Sequence, residues 1–158
     1  MKTNDALKSK GDVVALIEWK DGKRKEIGFN NTVLLSGRRA LARSLANSFG
    51  DSYDFFVARM IFGDGGTQSG VKKYVDAGRE GLFGVTRVSK PIIANIDVGV
   101  PAQVIFTSVI TFDEAIGITL NEMALQMATG EFFSMVTFPD LNKTEEMQIT
   151  WNWRLNFI

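Results

Sequence analysis

Cysteine and histidine are both absent from this sequence of 158 residues. Without cysteine the chain cannot form a disulfide framework, so we expect it to fold in a reducing cytoplasm. It also lacks the commonest zinc ligands, the commonest general base and the best soft nucleophile. Any catalysis would have to use carboxylates, lysine, tyrosine or hydroxyl groups. We therefore expect a protein that is not an enzyme and that binds no cofactor and no metal.

Long hydrophobic runs are lacking as well. No apolar stretch approaches the ~20 residues that cross a bilayer, and the N-terminal MKTNDALKSKGD has no apolar core of a signal peptide. We therefore expect no membrane partner. Apolar residues nevertheless make up 45% of the chain, with 12 Phe and 3 Trp. This composition predicts a globular protein, and the length fits one domain.

The chain has no net charge, so it has no general attraction to nucleic acid. Residues 1–50 carry ten Lys and Arg against five acids, and residues 101–158 carry two against seven. This polarity favours docking against a second copy or an asymmetric neighbour. The alternative is that the charges mix on the folded surface and are simply solvated. The candidate interaction residues are all basic: Lys2, Lys8, Lys10, Lys23, Arg24, Lys25, Arg39 and Arg43.

The first eleven residues are polar and lack periodicity, which predicts a flexible N-terminal arm before a single β-rich domain at 12–158. Strands predicted at 12–19 and 23–30 flank Asp21-Gly22, a pair typical of a type I′ hairpin turn. A second hairpin is predicted at Thr129-Gly130, between strands at 118–127 and 131–138.

One helix is predicted over 37–49, with Ser36 as its N-cap and with Leu41, Leu45 and Phe49 on one face. Arg39 and Arg43 share another face of this helix. That face is either a solvated surface or a contact with an acidic protein.

The remaining strands are predicted from alternation. Residues 84–99 are strand-like at both ends, with a bulge or sheet edge at Pro91. Residues 102–112 carry apolar side chains on both faces, so we expect both faces to be at least half buried. Residues 147–157 alternate strictly, with Trp151 and Trp153 on the dry face. With seven to nine strands, we expect a mainly β fold: an antiparallel β-sandwich or partly closed barrel with one short α-helix packed at one end.

The stretch RMIFGDGGTQSG, residues 59–70, is the part of the sequence that most suggests a ligand-binding loop. Gly65 and Gly70 have the separation of a P-loop, but Val71 and Lys72 follow where lysine and a hydroxyl are required. A dinucleotide fingerprint from Gly63 would need glycine where Gln68 stands, and Asp64 is too isolated for a calcium loop. We predict a tight turn after a buried strand, with no nucleotide or metal.

Carboxylates are the other candidate catalytic groups. The pairs Asp113-Glu114 and Glu145-Glu146 are sequence neighbours, whose side chains point to opposite faces of an extended chain. Glu122 lies within an apolar strand, so a buried position would require a partner, which Arg87 or Arg154 could supply. We favour such an ion pair, or an outward-facing position, over a catalytic acid.

Three fragments together resemble small virion structural proteins of tailed bacteriophages: NNTVLLSGRRALARSL, MIFGDGGT, and the segment from ITFDEAIG to QITWNW. The layout is also similar to the N-terminal attachment domain of phage tail-collar fibre proteins. The matching positions are Asn31, Gly37, Gly63 to Gly66, Asn121-Glu122, Gly130 and Lys143 to Trp153. The basic hairpin at 12–30 departs from this layout, and fibre proteins continue where this sequence stops.

The resemblance implies a non-enzymatic virion protein, synthesised in the bacterial host cytoplasm, that binds major capsid, neck or tail subunits and forms a homo-oligomer. Capsid decoration is preferred to a neck or tail accessory role. The alternative is a carbohydrate-binding β-sandwich module, with Trp19, Tyr53 and Tyr74 as candidate stacking groups. A hydrolase that uses carboxylates alone is the third alternative.

Overall fold

The computed structural model describes residues 9–46, 55–100 and 102–157, and the side chain of Ser9 is not described. Within these ranges the chain forms one helix and twelve strands, eight of which have six or more residues. The elements are β1 Ser9–Trp19, β2 Arg24–Asn30, β3 Thr32–Val33, α1 Leu35–Ala46, β4 Val57–Gly63, β5 Thr67–Gln68, β6 Val71–Lys72, β7 Thr86–Pro91, β8 Ile93–Asn95, β9 Gln103–Ile110, β10 Thr119–Met127, β11 Phe132–Asn142 and β12 Met147–Phe157.

Two five-stranded antiparallel sheets pack face to face, which confirms the predicted mainly β sandwich with one helix. Sheet A has the order β2-β1-β12-β9-β8, and sheet B has the order β3-β11-β10-β4-β7. The short strands β5 and β6 form a separate hairpin. The described strands do not close into a barrel, because β2, β8, β3 and β7 end the two sheets.

The core lies between the sheets and is built around the alternating strand β12. Trp151 and Trp153 are fully buried, as the alternation predicts. The Trp151 ring centroid lies 5.1 Å from that of Phe62 and 5.3 Å from that of Phe138, so both sheets contribute aromatics. The centre of sheet A is therefore fixed by the most regular alternation in the sequence.

A second apolar layer covers the outer face of sheet B. It contains Leu34, Ile61, Val75, Ala124, Phe132 and Met135, with Leu82 and Phe83 packed against it. The irregular segment 73–84 supplies Val75, Leu82 and Phe83 to this cover. Ala40 and Leu41 of helix α1 pack instead into the core between the sheets. No comparable cover lies over the outer face of sheet A in the described part of the chain.

The predicted helix exists, but of its predicted apolar face only Leu41 is seen to pack against the core. The buried residues are Ser36, Gly37 and Ala40, whereas Leu45 is 86% exposed. Ser36 lies inside the first turn, and its hydroxyl donates to the Phe132 carbonyl rather than capping the helix. A Cβ on Gly37 would collide with the Phe133 carbonyl, so the helix packs closely through small residues. Phe49 lies outside the described residues.

Both predicted hairpins are present, but the Asp21-Gly22 turn is not type I′. Gly22 has φ of +92°, and among these turn residues it alone has a positive φ. The Trp19 carbonyl accepts from the Gly22 N–H, and the Trp19 N–H donates to the Lys23 carbonyl. The hairpin is therefore a turn without positive φ at its central residues, followed by a glycine that has positive φ. The Gly130 turn has the same pattern, with φ of +93°. Positive φ at both central residues occurs instead at Ser69-Gly70, between β5 and β6.

Two other boundaries differ from the predicted ones. Strand β1 begins at Ser9, so Lys10 and Gly11 pair with Asn156 and Leu155 rather than belonging to an arm. Residues 1–8 of the predicted arm lie outside the described residues. Pro91 ends the edge strand β7, as predicted for a residue without an N–H, and the chain then crosses from sheet B to β8 of sheet A.

Candidate functional site

The glycine turn, residues 63–66 at the end of β4, lies beside the strand that carries Glu122. Glu122 on β10 pairs with Gly63, the last residue of β4, so its side chain starts next to the turn. The side chain is completely buried. The two most suggestive features of the sequence, the glycine stretch and the acid in an apolar strand, therefore form one site.

Backbone amides surround the Glu122 carboxylate. Oε1 accepts from the N–H groups of Gly65 at 2.9 Å and Gly84 at 2.8 Å, and Oε2 accepts from Phe83 at 2.7 Å. Such amides are strong partners for a buried carboxylate because they bring no second charge to desolvate. The glycine turn does cradle an anion, but the anion is a side chain of the same protein.

Close backbone approach explains the glycines. A Cβ on Gly63 would lie 2.6 Å from Glu122 Oε1. A Cβ on Gly65 would collide with the Gly84 amide, and one on Gly66 with the Asn121 carbonyl. Because these obstacles include backbone atoms, larger residues would push the turn away from β10.

Asn121 fastens the same turn from its other side. Its Oδ1 accepts from the Gly66 N–H at 2.7 Å, and its Nδ2 donates to Asp140 Oδ1 at 3.0 Å. Asp140 also accepts from the Thr67 hydroxyl at 2.7 Å. The hydrogen bonds from Asn121 and Thr67 lower the pKa of Asp140 below its ordinary value. The Asn121-Glu122 pair on β10 thus connects two other parts of the chain, the glycine turn and the end of β11.

The segment that supplies Phe83 and Gly84 is itself held by Arg79. The Arg79 guanidinium lies 3.5 Å from the Phe83 ring centroid, and it donates to the carbonyls of Gly81 and Leu82. Lys73 lies over the same ring, 5.0 Å from its centroid. These contacts hold the Phe83 and Gly84 amides in position at the Glu122 carboxylate.

The predicted arginine partners of Glu122 were wrong. Arg87 pairs with Asp64 at 2.9 Å, and Arg154 pairs with Asp12 at 2.8 Å. The prediction that a buried acid needs a partner was sound, but amides took the place of a cation. The sequence signal that could have predicted this contact is the combination of a glycine-rich turn and a lone acid in an apolar strand. The turn offers free N–H donors, and the buried acid needs donors.

The other acidic pairs have local roles. Glu114 accepts from Lys90 at 2.7 Å and from the Thr111 N–H, and the Lys90 hydrogen bond lowers the pKa of Glu114. Asp113 accepts from the Thr111 hydroxyl, which lowers its pKa. Within the described ranges, no three carboxylates group closely enough to hold a metal ion.

Composition and alternation do not distinguish Lys143 from other surface lysines, but its side chain is fully buried. Its ammonium donates to the carbonyls of Thr144 at 2.8 Å and Phe112 at 3.3 Å. Burial lowers its pKa. The flanking Asn142 and Thr144 are polar, so the sequence there indicates a solvated loop. The burial of Lys143 could not be predicted from its neighbours.

The predicted basic interaction residues do not form one patch. Lys10 lies at the start of β1, opposite Asn156, whereas Arg24 pairs in register with Glu18 at the other end of that strand. Arg39 and Arg43 lie on α1, which packs against β11. All six described members are exposed, and Lys2 and Lys8 lie outside the described residues.

Three of these basic residues have ion-pair partners. Arg24 lies 3.1 Å from Glu18, Lys23 lies 3.6 Å from Asp21, and Arg39 lies 4.0 Å from Glu80. Exposed pairs of this kind contribute little to stability. Lys25 instead lines a groove of about 540 Å³ between β2 and β11.

The single helix in the described part of the chain has 12 residues, and no described helix is long and apolar enough to cross a membrane. Comparison of the chain with protein-family models, with curated proteins and with solved structures finds no match.

Proposed function

We propose that this protein is a non-enzymatic structural subunit of a tailed bacteriophage virion. It is made in the host cytoplasm and binds other virion proteins, with capsid decoration preferred to a neck or tail accessory role. The resemblance carried by Asn31, the glycine turn and Asn121-Glu122 gives the proposal its biological setting. The structure offers a β-sandwich with an exposed apolar edge that could bind another protein.

The observation that carries this proposal is an exposed apolar segment at the β8 edge of sheet A. Ile93 is 75% exposed, Ile96 is 62% exposed and Val98 is 93% exposed. Single exposed apolar residues are ordinary, but a contiguous group marks a surface that binds another protein. The Gly99 N–H donates to Asp97 Oδ1 at 2.8 Å, which orders the turn that presents Val98.

The glycine turn supports the same proposal from another direction. Its amides and those of residues 83–84 already bind the Glu122 carboxylate. The feature that most suggested a nucleotide site therefore serves to lock the fold. These hydrogen bonds hold the irregular segment 73–84 against β10, and such rigidity suits a structural subunit.

Mass spectrometry of separated phage heads and tails tests the proposal. We expect the protein in the head fraction at a fixed ratio to the major capsid protein. Detection in tails only would contradict capsid decoration and favour the accessory role. Its absence from both fractions, despite expression in infected cells, would contradict a virion role altogether.

Carbohydrate binding is the second candidate, and one observation favours it. Tyr74 is 83% exposed and lines a concavity of about 320 Å³ with Lys72 and Lys73. An exposed aromatic beside polar groups can stack on a sugar ring. Of the other predicted stacking groups, Trp19 is partly buried and lines the β2–β11 groove, and Tyr53 lies outside the described residues.

A glycan array with the wild-type protein and a Tyr74→Ala variant tests this candidate. Binding that is lost in Tyr74→Ala but retained in Val71→Ala, another exposed position, would support a sugar site. We expect no glycan to bind at micromolar affinity if the protein is a structural subunit alone.

A further inference from the structure

A buried cation lies at one end of the sandwich, where the loop from β9 to β10 meets the turn from β11 to β12. The β9–β10 loop is residues 111–118, and Lys143 is the first residue after β11. The Lys143 side chain is fully buried, which is rare for lysine because a charged head is costly to remove from water. Such a position requires acceptors around the ammonium, and the fold supplies them.

Two backbone carbonyls accept hydrogen bonds from the Lys143 ammonium. The Thr144 carbonyl oxygen lies 2.8 Å from Nζ, and the Phe112 carbonyl oxygen lies 3.3 Å from it. The first carbonyl belongs to the β11–β12 turn, residues 143–146, and the second belongs to the β9–β10 loop. The side chain therefore joins two segments that are 31 residues apart in sequence.

The Lys143 backbone makes the same connection. Its carbonyl accepts from the Gly117 N–H at 2.8 Å, and its N–H donates to the Ile118 carbonyl at 3.0 Å. The loop reverses to make these contacts, with Ala115 at φ of +55° and Gly117 at φ of +76°. A positive φ is uncommon for a residue other than glycine, so the loop conformation has a cost that its contacts must offset.

Charges near the ammonium act in both directions. The carboxylates of Glu114 and Asp113 in the loop favour its charged form, whereas burial and the charge of Lys20 disfavour it. Glu114 is also paired with Lys90 of β7 at 2.7 Å, and Lys20 lies over the Phe112 ring. The β9–β10 loop thus offers carbonyl oxygen and nearby carboxylates, which are groups that bind small cations.

We propose that the carbonyls of Phe112 and Thr144 form a site for a small monovalent cation, and that the Lys143 side chain fills this site from within the chain. The ammonium takes the place of a bound ion and holds the β9–β10 loop closed against the β11–β12 turn. Because the cation is tethered, the loop stays closed whatever ions are in solution. This inference concerns the fold and does not depend on the virion role.

Removal of the side chain tests the proposal, because it empties the site and leaves both carbonyls in place. Lys143→Ala should lower the melting temperature and should speed hydrogen exchange of the Gly117 amide by roughly tenfold or more at the same pH. Ammonium or potassium ions should then restore both values in a saturable manner, since they bind the folded state. Methylammonium, which replaces the end of the lost side chain, should do the same.

Salt controls separate a specific site from a general effect of ionic strength. Tetramethylammonium is larger than these ions and has no N–H, so it should not restore Lys143→Ala at the same concentration. The wild type, whose site is filled, should respond alike to ammonium and tetramethylammonium salts. The exposed control Lys10→Ala should match the wild type in every salt.

Lys143→Met keeps an apolar side chain without the charge, and it tests whether the lysine only packs. We expect it to be less stable than the wild type and to exchange the Gly117 amide faster. Wild-type stability and exchange in Lys143→Met would overturn the inference.

Failure of ammonium, potassium and methylammonium to restore Lys143→Ala beyond the level reached with tetramethylammonium would also overturn it. A Lys143→Ala protein that is unfolded in plain buffer should fold when these ions are added, as followed by tryptophan fluorescence. Its failure to fold counts against the inference in the same way.

Discussion

The Glu122 carboxylate accepts a hydrogen bond of 2.9 Å from the Gly65 backbone N–H across 57 residues of sequence. Together with the amides of Phe83 and Gly84, this contact ties the turn after β4 and the end of segment 73–84 to β10. The buried carboxylate and the amides that donate to it each need the other as a hydrogen-bond partner.

Glu122→Gln should reduce the free energy of unfolding by about 2–3 kcal/mol. Glutamine keeps one acceptor oxygen, but its NH₂ group faces N–H donors that then lack an acceptor, and leaving such buried groups unpaired is costly. Urea unfolding measures the change. Glu145→Gln, an exposed control, should stay within about 0.5 kcal/mol of the wild type. Equal stabilities for the two variants would mean that the carboxylate does not fasten the turn.

Gly66→Ala should destabilise the protein by about 1–3 kcal/mol, because the added Cβ collides with the Asn121 backbone carbonyl. Gly81→Ala is the matched control, since a Cβ at that position meets nothing within 4 Å. Thermal unfolding of both variants measures the difference. A Gly66→Ala protein as stable as Gly81→Ala would contradict the close approach of the turn to β10.

Trp153→Ala should lower the free energy of unfolding by about 3–5 kcal/mol, since removal of a fully buried indole leaves a cavity that cannot collapse. The control is Asn152→Ala, the adjacent half-buried residue on the opposite face of β12. Denaturant unfolding measures both changes. Near-wild-type stability of Trp153→Ala would contradict its place in the core.

The glycine turn should bind neither ATP nor Mg²⁺ nor Ca²⁺, because its available amides already donate to Glu122 and Asn121. Isothermal titration calorimetry should show no binding at sub-millimolar affinity. An Asp64→Ala, Lys72→Ala double variant should fold and give the same result. Measurable binding by the native protein that this double variant loses would restore the ligand-loop interpretation.

Asp140 should make stability depend on pH in the acid range. Hydrogen bonds from Asn121 and Thr67 lower its folded pKa below the ordinary value of 3.8, so the unfolded chain binds a proton more readily. The contribution is therefore fully present above about pH 4 and is lost as pH falls through the folded pKa.

An Asp140→Asn variant tests this dependence. Urea unfolding near about pH 6 and about pH 3 should show a smaller acid loss of stability in Asp140→Asn than in the wild type. Glu145→Gln, which changes an exposed acid, should retain the wild-type acid dependence. An identical loss in all three proteins would show that the Asp140 hydrogen bonds do not contribute.

Elements that depend on neighbouring residues were predicted correctly. Strict alternation over 147–157 placed Trp151 and Trp153 in the core, because a strand has a side-chain period of two. Glycines at positions 22 and 130 located the hairpins, since each turn needs one residue with positive φ. Nothing distant has to be known to make these predictions.

Tertiary structure alone decided the relationships between distant segments. The helix buries Gly37 and Ala40 instead of Leu45 because β11 approaches closely, and its sequence pattern does not contain that distance. Glu122 accepts from backbone amides instead of pairing with an arginine, because sheet order brings β4 beside β10 although they are far apart in sequence. The alternation of apolar residues along a strand shows which face is buried. Which residue of another strand packs against that face depends on how the sheets assemble.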